Sequence, residues 1–112
     1  WKETYRYLIG KLDKMGIAYV HLFYFGDDDF LSEIRETLSL PLLLVRAGRD
    51  IASVHRDMKE GVADVFPLGT MTIANPDIVD RLKNGGALAE ADPALFFGGG
   101  EKGYIYHPDK DE

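Results

Sequence analysis

Two glycines that directly follow apolar runs are the residues of this chain with the clearest chemical use. Gly48 follows the run Pro41 to Ala47, and Gly69 follows Val62 to Leu68. A glycine at the end of a buried strand lets backbone N–H groups approach a phosphate with no Cβ in the way. Consecutive turns of this kind, each leading into a helix, are a phosphate-binding pattern in parallel α/β proteins. The same glycines are equally what a tight strand-to-helix turn needs, and that reading stands beside the functional one. Arg46 and Arg49 are the basic residues next to these glycines. Either could offer a bidentate contact to phosphate, or be a solvated loop arginine. Tyr24-Phe25-Gly26 marks a third strand end where a ligand could sit.

Other groupings carry less. Asn75-Pro76-Asp77 reads as a helix start, with a cap, a preset φ and an acid favoured by the helix dipole. Asp27, Asp28 and Asp29 read as caps in solvent rather than as a magnesium site. The histidines His21, His55 and His107 form no metal-ligand spacing, so no metal is expected. Gly98-Gly99-Gly100-Glu101-Lys102-Gly103 lacks the Gly-Lys-Ser/Thr ending and the following helix of a phosphate loop. No serine lies in a nucleophile elbow. With no cysteine in the chain, a disulfide scaffold and a cysteine-ligated metal are excluded. A net charge of −6 argues against nucleic acid or an anionic membrane as partner. No apolar run approaches the ~20 residues that span a bilayer. These features together point to a cytoplasmic protein. The chain opens on Trp1 without a methionine, so either a longer parent or processing is expected.

The elements that would position the glycines follow from periodicity. Tyr5, Leu8, Leu12 and Met15 have helical spacing, closed by Gly16. Ile17 to Phe25 is aromatic and β-branched, a strand. Asp27 to Asp29 cap a helix with the face Phe30, Ile34 and Leu38. Pro41 to Ala47 is the second strand, and Ile51, Val54 and Met58 line the helix after it. Val62 to Leu68 is the third strand. Asn75 as N-cap and Pro76 at the first helical position begin a helix with Ile78, Val79 and Leu82 inward, stopped by Asn84-Gly85-Gly86. The periodicity fades from Ala87 onward. Residues 1–86 thus form βα units and 87–112 an irregular tail, together one partial domain. Such alternation means a parallel sheet. Three strands cannot close a barrel, which takes eight and about 250 residues. A small open sheet and a slice of a barrel both remain compatible with the pattern.

A family resemblance adds to this reading. Ile73-Ala74-Asn75-Pro76-Asp77, Arg81-Leu82-Lys83-Asn84-Gly85, Leu88, Phe96-Phe97-Gly98-Gly99-Gly100 and Gly103-Tyr104-Ile105-Tyr106-His107-Pro108 follow one another in order. They closely resemble the C-terminal signature of the Old Yellow Enzyme family. Upstream, Tyr19-Val20-His21-Leu22 looks like that family's sixth strand, Ala47-Gly48 like its seventh strand end, and Ala63-Asp64-Val65 to Gly69 like its eighth. The resemblance implies the C-terminal part of a TIM (β/α)₈ barrel, about three βα units plus a tail. It implies an FMN-dependent flavoprotein, an NAD(P)H oxidoreductase of ene-reductase type acting on an electrophilic alkene or similar small molecule. It also implies that backbone at Gly48, Arg49, Gly69 and Thr70 cradles the FMN phosphate, with Phe97 of the aromatic pair near the flavin's dimethylbenzene end.

Three positions depart from the family pattern. Gly69-Thr70 stands where Gly-Arg is usual, Gly48-Arg49 where Gly-Gly is usual, and Phe96-Phe97 where Phe-Tyr is usual. Loss of the arginine removes a charge-assisted contact worth about 1.5–3 kcal/mol, and Arg49 is expected to replace it. The family's proton-donating tyrosine and substrate-gripping pair match no residue here, so no catalytic residue is assigned. The isolated chain is therefore expected to be inactive, supplying the phosphate end of a flavin site. The other readings are a non-enzymatic, truncated or degenerate α/β module that self-associates, and a phosphate-binding segment of another barrel enzyme. An open sheet leaves edges and an apolar face exposed, so the isolated chain is expected to self-associate or to be marginally stable.

Overall fold

Phe30, Leu31, Ile34 and Leu38 form the helical face that organises the first half of the chain. All four are buried, on or just after a helix that Asp27 starts by accepting the Phe30 N–H at 2.9 Å. In the computed structural model, which describes residues 1–98, 100 and 101, the order begins α1 (Lys2–Leu12), β1 (Val20–Tyr24), α2 (Asp28–Thr37), β2 (Leu42–Arg46) and α3 (Ile51–Lys59). It continues with α4 (Thr70–Ala74), α5 (Ile78–Asn84) and a 3₁₀ turn (Pro93–Leu95). The chain divides into two compact units, Trp1–Pro67 and the residues from Leu68 onward.

In the first unit β1 and β2 pair in parallel, with Val20 opposite Leu42 and Tyr24 opposite Arg46. Alternation along each strand sends Val20, Leu22, Tyr24, Leu42 and Leu44 to one side. They pack with Ile9 of α1 and the buried face of α2 into one apolar core, and α1 also lies against α2. The opposite side of β1 is exposed at His21, Phe23 and Phe25, the last two stacked edge to face at 4.9 Å.

Several elements depart from the sequence expectation. The third strand is reduced to a parallel bridge between Leu43 and Val65, with the Leu44 N–H donating to the Val65 carbonyl at 2.9 Å. Pro67 has no N–H for a ladder, and pairing stops short of it. α1 ends at Leu12, before Met15; of its expected face Tyr5 and Leu8 are exposed, Leu12 is half-buried against the core, and Ile9 is the buried residue. On α3 Met58 is exposed and Asp57 is the residue turned inward.

The second unit has short helices. Ala74, Asn75 and Ile78 are its buried residues among those described, and Val79, expected inward, is exposed. Asn75 does not cap α5, whose N-cap is Asp77. Its side-chain amide instead donates to the carbonyls of Met71 and Ala89, each at 2.9 Å, and accepts the Ala89 N–H at 2.7 Å. A fully buried amide needs every donor met, and a two-sided staple to the 89 backbone does this where a cap would leave one donor over. Pro76 accordingly precedes the helix. Gly85 ends α5 in the left-handed region, as the sequence indicates.

Candidate phosphate-binding loops

The carboxyl ends of β1 and β2 are neighbours because Tyr24 and Arg46 are in register. After β1 the chain turns tightly. The Tyr24 hydroxyl donates to the Asp27 carbonyl at 2.7 Å, and Gly26 lies so close to the phenol that a Cβ there would overlap it. Burial, with the nearby Asp27 charge, raises the Tyr24 phenol above its ordinary value, so it stays a donor. Asp27 itself is held low, first by the Lys2 ammonium at 2.7 Å and then by the Phe30 N–H. Trp1, Tyr5, Phe23 and Phe25 border an apolar hollow of about 260 Å³ beside this turn.

After β2 comes the first expected site loop. Gly48 takes φ +73°, a conformation that L side chains avoid, and the Arg49 N–H closes the turn onto the Arg46 carbonyl at 3.4 Å. Asp50 then caps α3 by accepting the Ser53 N–H at 2.8 Å, and this bonding to Ser53 lowers its carboxyl. Among the described residues nothing accepts from the Gly48 N–H. The Arg49 guanidinium, 36% exposed, has one ion pair, to Asp28 at a loose 3.8 Å. Arg46 differs. Its side chain is 11% exposed and lies 3.2 and 3.3 Å from the two carboxylate oxygens of Asp57, while also bonding Asp28.

The second expected loop, in the other unit, differs in kind. Gly69 has a negative φ of −91° and precedes α4, where Thr70 is the first, exposed residue. A Cβ on Gly69 would meet nothing within 4 Å. A left-handed turn thus explains Gly48, whereas Gly69 serves as the N-cap of α4, with ψ −82° and open space on its Cβ side. Phe97 is fully exposed, its ring 6.4 Å from that of Phe96 and edge to face. Gly99, Lys102 and the tail signature Gly103 to Pro108 lie outside the described residues.

The structure therefore brings Gly48 and Arg49 together with Arg46 and Asp28 in the first unit, and Gly69 with Thr70 in the second. Sequence reasoning missed the pairing of Arg46 with Asp57. The signal was present: Arg46 shares parity with Leu42 and Leu44, which places it on the helix-facing side of the strand.

No protein-family model matches the chain. It is 39% identical over 59 residues to a protein from Leishmania infantum described as a probable flavin mononucleotide-dependent alkene reductase, covering 53% of this chain and 16% of that protein. Among solved structures, morphinone reductase in complex with tetrahydroNAD superposes with a TM-score of 0.84 at 32% identity, over 98% of this chain and 31% of that one. The chain is thus similar to morphinone reductase over nearly its whole length, and to a probable FMN-dependent alkene reductase over about half of it. The old yellow enzyme from Trypanosoma cruzi superposes with a TM-score of 0.83 over 97% of the chain, and at 23% identity it speaks for the fold alone. The chain spans less than a third of the length of each of these three relatives. No helix among the described residues is long and apolar enough to cross a membrane.

Proposed function

We propose that this chain is the C-terminal, phosphate-binding part of a (β/α)₈ barrel FMN-dependent NAD(P)H oxidoreductase of ene-reductase type. The observation that carries the proposal is the contrast between the glycines. Gly69 has neither a left-handed backbone nor a crowded Cβ position, and beside its place as the N-cap of α4 its open Cβ side leaves the backbone accessible to a ligand. Gly48 adds an N–H with no partner among the described residues, and Arg49 adds a half-exposed guanidinium with a loose partner. These groups fit a dianionic phosphate. In the first unit Gly48 and Arg49 are the residues proposed to hold it; in the second, Gly69 and Thr70 are proposed as phosphate-contacting residues in their own right, and Phe97 is proposed to offer its bare ring to the flavin. FMN supplies the hydride transfer between NAD(P)H and an electrophilic alkene, and this chain's residues supply binding and orientation. None of them is proposed as catalytic, and the isolated chain is proposed to be inactive.

Binding of FMN and of riboflavin by the purified chain tests the proposal, because the two ligands differ by the phosphate. A preference for FMN that falls about tenfold or more in Arg49→Ala is expected for one charge-assisted contact. Equal affinity for the two flavins would overturn it.

A second reading, a self-associating α/β module without enzymatic activity, is favoured by the exposed β1 face at His21, Phe23 and Phe25. Sedimentation distinguishes it. Concentration-dependent association that is blocked by Phe23→Lys, with no flavin bound, supports that module.

A further inference from the structure

Arg46 is a charged side chain in a layer otherwise made of leucine. It follows Leu42 and Leu44 on the helix-facing side of β2 and is nearly as buried as they are. Its guanidinium spans three elements: the end of β2, Asp57 on α3, whose side chain is 9% exposed, and Asp28 in the first turn of α2. A buried ion pair is rarely a better source of stability than an apolar pair of similar volume, because both charges must leave water. Geometry is what the pair adds. Ala47-Gly48-Arg49 is all that separates Arg46 from Asp50, the cap of α3. The turn is thus pinned at one end by the Arg46 fork and at the other by the Asp50 cap. Asp28 is shared, bonded by Arg46 and 3.8 Å from Arg49. By engaging that carboxylate, Arg46 leaves Arg49 the looser of the two arginines.

We propose that Arg46 is a positioning residue. It fixes the Ala47–Arg49 turn for an incoming phosphate and, by occupying Asp28, leaves the Arg49 guanidinium free to turn to that phosphate. The inference rests on the phosphate reading of this loop, and Arg46 itself does not touch the ligand.

The test uses the full chain and the double variant Arg46→Leu/Asp57→Leu, which removes the pair without stranding a buried charge, together with Arg46→Lys. Backbone order parameters of Gly48 and Arg49 report the turn without ligand. The ratio of FMN to riboflavin affinity reports the phosphate. In the double variant the order parameters are expected to fall from about 0.85 toward 0.6. The FMN preference is expected to fall about tenfold with riboflavin affinity unchanged, and Arg46→Lys, which keeps the charge without the fork, to lie between. A merely structural Arg46 would lower both flavin affinities together, and that result overturns the proposal. A loosened turn with the FMN preference intact overturns it as well. A wild-type chain without any FMN preference overturns the phosphate reading itself, and the positioning role with it.

Discussion

The two units of this chain are stabilised by opposite means. The first, Trp1–Pro67, buries a continuous apolar layer in which β1 and β2 meet α1 and α2. The second buries three residues among those described, and the most enclosed of them is an asparagine that staples the backbone at Met71 and Ala89. Apolar burial is non-directional and shared over many side chains. A polar staple is directional and concentrated in one. The first arrangement tolerates approximate sequences, whereas the second depends on a single side chain having both a donor and an acceptor.

The largest effect expected from breaking either arrangement is in the apolar layer. Leu42 is completely buried between the sheet and its helices. Leu42→Ala should destabilise the first unit by about 2–5 kcal/mol, through lost transfer free energy and the cavity left behind. Trp1, the one tryptophan, packs edge-on to Phe30 at 5.3 Å and reports this unit's unfolding by fluorescence in urea. An unchanged midpoint would mean the layer is not what holds the unit.

In the second unit the corresponding substitution is Asn75→Leu. It keeps the volume approximately and leaves the Ala89 N–H and two carbonyls without their partner. The expected cost is about 1–3 kcal/mol, as for an unsatisfied buried polar group. Amide exchange at Ala89 should accelerate, since its N–H bond to Asn75 is gone. Exchange as slow as in the wild type would show that the staple is not what holds that segment.

This difference also governs what could be read in the sequence. The α2 face at Phe30, Ile34 and Leu38, the two strands and the glycine stops at Gly48 and Gly85 follow from local spacing and turn chemistry, and the structure has them. The missed features depend on partners far away in sequence. Asp57 turns inward because Arg46, eleven positions earlier, occupies the strand's helix-facing side. Asn75 precedes a proline and an acid, which locally reads as a cap, but Ala89, fourteen positions on, competes successfully for its amide. Local propensity ranks the cap first and tertiary hydrogen bonding overrides it. The expected face of α1 failed at Tyr5 and Leu8, and that of α3 at Met58, for the same reason: periodicity gives the spacing of a face, and the neighbours decide which face is buried. Of the phosphate-binding candidates, the glycines were legible as turns. The distinction between Gly48, held in the left-handed region, and Gly69, an N-cap with open space on its Cβ side, required coordinates.

The smallest effect expected is electrostatic, and it again separates the units. In the first, the carboxyls of Asp13, Asp27, Glu33, Asp50 and Asp64 are all held below their ordinary values by hydrogen bonds or cations. In the second, Asp77, lowered by Arg81, is the one described carboxyl so shifted. Asp64 is the most informative of them. It takes two bonds from Arg35, at 2.6 and 2.9 Å, and also accepts the Leu42 N–H at 2.8 Å, so the depression comes first from the arginine and then from the backbone. A carboxyl depressed in the folded state stabilises that state at any pH above its unfolded value, here 3.8. That stabilisation is lost as pH falls through the lower folded value. The pair is more than a third exposed at Asp64, so its worth is at most about 1 kcal/mol. Asp64→Asn should therefore be slightly less stable than the wild type at neutral pH, and the gap should close as pH falls below 3.8. Urea midpoints followed by Trp1 fluorescence from pH 7 to pH 2 measure it. A gap that stays constant would assign the effect of Asp64 to the shape of its contact with Leu42 rather than to its charge.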